Sequence, residues 1–242
     1  MNEHLHTGWF NKTRLFLMRL WPHPLTVNRQ QIILAGIGAG SGLALTSLLS
    51  HWLLGEVNIW FVAPVGASAV LLFGVPASPL AQPWSVVGGN TLSALVGISV
   101  SLLVPNSAIA CGIAACVAIV LMFQLRCLHP PGGAVALTAI LGGPTVQHLG
   151  YQFVLTPVLL NSVTLALLAI IFNNLSGRRY PHPLAPQESK PQPIALPVAL
   201  TQSDLHEALQ SGELLDIDED DLQALVQRAE MIALRRQFKQ AS

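Results

Sequence analysis

Charge is what this sequence has least of. Between Gln30 and Gly177 stand one basic residue, Arg126, and one acidic residue, Glu56. So little charge excludes the solvated surface of an ordinary soluble domain. The whole chain agrees, with 52% hydrophobic residues, 10% charged residues and a mean hydropathy of +0.54. Paired carboxylates, a nucleophile–base pair and a metal-ligand set are all missing from the apolar stretch, which argues against an intramembrane enzyme and calls for no metal or other cofactor. No nucleic-acid partner is expected. The three cysteines, Cys111, Cys116 and Cys127, lie in or beside apolar runs without ligand spacing, so they form neither a disulfide framework nor a zinc site and read as packing residues. The first thirty residues lack a small-residue cleavage site behind a continuous apolar core, so they are not a secretory signal.

What is present is a membrane protein with a basic start and an acidic finish. In residues 1-30, Trp9, Phe10, Leu15, Phe16, Leu17, Leu20 and Trp21 alternate with Lys12, Arg14 and Arg19, a pattern suited to a short helix in the headgroup layer, ended by Pro22 and Pro24. Six apolar segments follow, near 31-54, 59-75, 84-104, 107-127, 130-143 and 150-173. The fifth offers about fourteen residues, or ~21 Å of helix against a hydrocarbon thickness of ~30 Å. The second is barely longer and is interrupted at Pro64-Val65-Gly66. Both read as short or broken helices whose irregular backbone must be buried in protein or face a wet cavity.

The two short segments are alike: Pro64-Val65-Gly66-Ala67-Ser68-Ala69 compares with Pro130-Pro131-Gly132-Gly133-Ala134-Val135, and each precedes a long span entered through Asn90-Thr91 or Asn161-Ser162. The expected fold is therefore an all-α membrane bundle of about six segments, a duplicated three-segment unit. Its membrane domain spans 31-175. A Pro-rich linker follows at 176-200, and a cytoplasmic helical tail at 201-242 holds nine of the twelve acidic residues. Basic residues at both flanks favour cytoplasmic ends and an even number of crossings. Six crossings put Arg126 on the cytoplasmic side, while four spans with two re-entrant hairpins put it opposite; six is preferred. The lack of a transit-like start favours a bacterial inner membrane. Glycines 36, 38, 40 and 42 suit close helix contacts within one subunit or in a homodimer.

Arg126 opens the run Arg126-Cys127-Leu128-His129-Pro130-Pro131-Gly132-Gly133-Ala134. An isolated cation at membrane depth marks a site by default. A helix starting at Pro130 or Pro131 loses no N–H at its first position, and would leave those of Gly132, Gly133 and Ala134 for an anion. Pro64 would start the other short helix likewise, with Gly66, Ala67 and the Ser68 hydroxyl as donors. The candidate substrate-binding set is Arg126, His129, Pro130, Pro131, Gly132, Gly133, Pro64, Gly66, Ala67, Ser68, Asn90 and Asn161. In it Arg126 attracts the anion, His129 donates a hydrogen bond or carries a proton, and the two helix starts face each other. Plainer roles compete: Arg126 as a snorkelling anchor, His129 as a helix-entry residue, the glycines as packing and the asparagines as interhelical glue.

The chain resembles the HPP family of integral membrane proteins, named for the sequence that stands here as His129-Pro130-Pro131. The likeness includes the 64-73 run, Ser78-Pro79-Leu80-Ala81-Gln82-Pro83, Val87-Gly88-Gly89-Asn90, Asn173-Asn174-Leu175 and Gly177-Arg178-Arg179-Tyr180-Pro181. Chloroplast and cyanobacterial members of that family are associated with nitrite transport, so the resemblance implies a small-anion pathway with nitrite as substrate. The alternative is a membrane scaffold or sensor that signals through its tail. A channel, a carrier and a proton-coupled carrier all remain open.

Overall fold

The computed structural model describes residues 28–55 and 59–182, with Val226; the N-terminal arm, most of the linker and the tail lie outside the described residues. Every regular element among the described residues is helical. Helix α1 is Arg29–Leu54, started by the Asn28 side chain accepting from the Gln30 N–H and stopped by Gly55, whose φ of 78° only glycine adopts without strain. Helix α2, Ile59–Ala69, runs on into a π turn at Val70–Gly74. A 3-10 turn at Pro79–Ala81 leads to α3, Pro83–Leu103, and the Asn106 side chain caps α4, Ser107–Gln124. Then come α5 at Pro130–Leu141, α6 at Gly143–Leu149, a second π turn at Val154–Leu159 and α7 at Leu160–Leu175.

Four helical stretches, 29–53, 83–103, 107–124 and 154–175, are long and apolar enough to cross a membrane. Two shorter apolar helices, Ala63–Gly74 and Pro130–Leu141, lie between them in the chain. Arg178 donates to Gln31 O at the start of α1 and to Phe73 O at the end of the first π turn, both at 2.8 Å, so these points share one end. Tyr180 donates to Ala81 O at that same end, and Trp84 reaches Leu125 O there. Helix α5 leaves that end and closes on Gly97, deep in α3, while Tyr151 meets Ser99 beyond it. Among the described residues the chain thus runs alternately away from and back toward that end six times. Arg29, Arg126, Arg178 and Arg179, the four Lys or Arg residues among those described, gather at one end.

Small residues set the helix spacing. A Cβ added at Gly97 would lie 2.6 Å from Ala136 O, and one at Gly89 would lie 2.7 Å from Cys127 O, so α3 touches the backbone of α5 and of the turn before it. On α1, Gly38 and Gly42 receive the Phe73 ring, which meets Phe172 edge-on at 5.6 Å. Gly36 and Gly40 have nothing within 4 Å, so the glycine ladder divides into an inner and an outer face.

One expected feature is overturned. Pro64 does not start a helix but lies inside α2, five residues beyond Ile59. The proline removes one N–H from the ladder, and a membrane helix tolerates that where neighbouring groups compensate. Gly66 and Ala67 therefore do not offer N–H groups at a helix N-terminus.

Candidate functional site: a buried polar chain between the short helices

Polar side chains are scarce in the bundle, and those at its centre bond to one another. His129 is the N-cap of α5, held in extended backbone at φ −141° by the Pro130-Pro131 start behind it, and is wholly buried. Its Nδ1 lies 2.9 Å from Leu80 O in the loop ahead of α3, and its Nε2 lies 2.8 Å from Ser68 Oγ in α2. Asn90 in α3 donates from Nδ2 to Ser68 Oγ at 3.4 Å and to Ser162 Oγ in α7 at 3.1 Å. Ser68, Asn90, His129 and Ser162 are each buried to 98% or more, and the chain they form ties both short helices to two of the spans. Asn90 Oδ1 has no hydrogen-bond partner, an expensive condition at membrane depth.

Asn90 stands seven residues into α3, so the chain lies about 10 Å below the basic end. At that end Arg126 is exposed, in the left-handed region at φ 55°, in the turn between α4 and α5. That conformation is uncommon outside glycine and asparagine, and it folds the chain sharply enough for His129 to drop into the interior three residues later. Trp84 is 59% exposed and donates to Leu125 O beside it, a membrane-interface setting for both side chains.

Of the candidate residues, Ser68, Asn90 and His129 are brought into direct contact. Asn161 is buried, yet its neighbour Ser162 is the one that joins the chain. Pro64 contributes its carbonyl, 3.0 Å from Ser68 Oγ. Pro131 and Gly132 are buried, Gly66 and Gly133 half-buried, and Pro130 and Ala67 exposed. The Gly132 N–H is already bonded to His129 O at 2.8 Å, and a Cβ there would lie 2.7 Å from Ser93 Oγ. Its role is therefore close packing, and it is not the free donor the sequence suggested.

Residues behind the chain support it. Asn173, fully buried, donates to Leu72 O at 3.0 Å, while Arg178 holds Phe73 O, so two carbonyls from the π turn find donors on the C-terminal side. Asn174 donates to Tyr180 O. Burial pushes the Tyr180 phenol well above its usual range, which keeps it a neutral donor to Ala81 O. In the sequence these residues belong to the family-like pattern without an evident task. Their signal was polarity at the end of an otherwise apolar helix.

An all-helical bundle, with four helices long and apolar enough to cross a membrane and two shorter apolar ones among the described residues, defines a polytopic integral membrane protein. The chain belongs to the HPP family, whose model "HPP, transmembrane region" matches residues 24–181. Two proteins of Dictyostelium discoideum, named only as transmembrane proteins, are similar to it: one is 36% identical over 164 residues, covering 65% of this chain and 52% of its own, and the other 41% identical over 125 residues, covering 50% and 44%. The chain therefore spans about half the length of the curated relatives it matches. No solved structure matches it.

Proposed function

We propose that this protein carries a small inorganic anion across the membrane, nitrite being the ion implied by the family resemblance. The supporting observation is the pairing of a basic end with an interior free of carboxylates: none of the described residues is Asp or Glu, and the buried polar groups are hydroxyl, amide and imidazole. Such an interior repels no anion and offers donors that replace part of its hydration shell. Arg126, at the mouth, raises the local anion concentration. Inside, His129, Ser68, Asn90 and Ser162 form the waist of the pathway, with Asn161 adjoining it. The order long, short, long occurs twice along the chain, with both short helices at the waist, as in transporters built from inverted repeats.

The basic end faces the cytoplasm in this reading, by the bias of Lys and Arg toward that side, and the membrane is a bacterial inner membrane. The reading needs no enzymatic step, and Gly36 and Gly40, with nothing within 4 Å, leave room for a close contact in a homodimer. The test is nitrite uptake into sealed vesicles containing purified full-length protein, with protein-free vesicles and Arg126→Asn alongside. Asparagine tolerates the left-handed turn, so this variant removes charge without disturbing the chain path. Saturable uptake, reduced in Arg126→Asn mainly through a higher half-saturating concentration, supports the proposal. Flux no greater than in empty vesicles overturns it and favours the scaffold acting through the tail.

A further inference from the structure

The polar chain at the waist has a property that a purely structural clasp does not need: its hydrogen bonds balance for two protonation states of His129. The Leu80 carbonyl can only accept, so Nδ1 carries a hydrogen in either state. In the neutral ring Nε2 is then an acceptor, and it takes the single hydrogen of Ser68 at 2.8 Å. A proton added at Nε2 reverses this bond. Nε2–H donates to Ser68 Oγ, and the Ser68 hydrogen turns to Pro64 O, already 3.0 Å away. In both of these states, before an anion arrives, Asn90 Nδ2 donates to the same Oγ at its second lone pair. The added proton breaks no contact and moves no heavy atom.

Among the described residues the charge it brings has no counterion. Leu80 lies in a loop, 75–82, without a titratable residue; α2, α3, α5 and α7, packed around the chain, have none either, and α4 has only Cys111 and Cys116. The nearest ionisable groups along the connections are the Cys127 thiol, the Arg126 guanidinium and the Tyr180 phenol, none of which supplies a negative charge near neutral pH. A buried imidazolium alone is strongly disfavoured, whereas one with an anion beside it is not. Proton and anion must then favour each other's binding by the same factor. The partnerless amide atom of Asn90 gives the anion a place: with the anion bound, a half-turn of that amide lets Oδ1 accept from the Ser68 and Ser162 hydroxyls and frees the NH2 as a donor.

We propose that His129 binds a proton together with the transported anion, so that one proton and one monovalent anion cross as a neutral pair. This rests on the transport reading above. The test uses vesicles with an internal pH indicator and a potassium diffusion potential, with sodium nitrite outside and protein-free vesicles to subtract the leak of neutral nitrous acid. The expected result is saturable nitrite uptake with one proton entering per nitrite, unchanged when the potential is reversed. His129→Gln, shown to be folded by its elution and thermal midpoint, should lose proton movement at least tenfold. Ser68→Ala, which removes the acceptor of the protonated ring, should move the half-maximal pH of uptake downward. Saturable nitrite flux that follows the potential and moves no proton overturns the coupling and leaves transport standing, as does full proton movement in folded His129→Gln. No saturable flux in the wild type overturns both.

Discussion

Arg126 and His129 divide a task that the sequence appeared to give to one place. Arg126 stays at the interface in a left-handed turn, and His129, three residues on, is buried. Arg126→Val would add a branched side chain to that backbone and should lower stability by about 1–2 kcal/mol, while Arg126→Asn should leave the thermal midpoint within a degree or two. Comparing the two separates strain from charge. Arg178 anchors α1, the first π turn and α7 through two carbonyls. Removing it in Arg178→Ala should cost about 2 kcal/mol, read as a lower unfolding midpoint in detergent, because charged donors to carbonyls are among the stronger hydrogen bonds. The importance of His129 was legible from its neighbours; that of Ser162 and Arg178 was not, because a contact between residues 72 or 105 positions apart leaves no mark in local pattern.

Most of the apolar helices were legible to within a few residues, since an apolar run between Pro, Gly and Asn signals has few alternatives in a membrane, but Gly143–Leu149 was hidden behind the Gly142-Gly143-Pro144 break. Expected segments near 84-104 and 130-143 became Pro83–Leu103 and Pro130–Leu141. The first short helix was misread because Pro64 carries the same signal at a helix start and at a tolerated interior position. Both π turns were invisible for a similar reason: a run such as Val70–Gly74 has the same apolar character whichever ladder it adopts. The glycines of α3 and α5 give a sharp prediction. Gly97→Ala sets a methyl 2.6 Å from Ala136 O and should destabilise by about 1–3 kcal/mol, whereas Gly133→Ala meets nothing within 4 Å and should be close to neutral. Equal effects in unfolding assays on the two variants would contradict the close contact between α3 and α5.

At the scale of the molecule, the chain combines six passages with one end that collects every described basic residue. Cysteines introduced at residues 29 and 178 should therefore react with an impermeant thiol reagent from the same side of a sealed membrane, and one introduced at residue 106, between α3 and α4, from the opposite side. Composition had already indicated a membrane bundle, and the Lys and Arg bias had favoured even crossings. The sequence could not decide whether the short segments cross, because a helix of twelve residues, about 18 Å long, suits a hairpin as well as a short passage. Packing of α5 along α3 carries the chain from the basic end as far as Gly97. The account stands most directly on charge selectivity, since a bundle whose described interior holds no carboxylate should admit anions and refuse cations. Nitrite and potassium fluxes measured in the same vesicles test this: saturable nitrite flux at least a hundredfold above that of potassium is the predicted result, and comparable passage of both ions would contradict it.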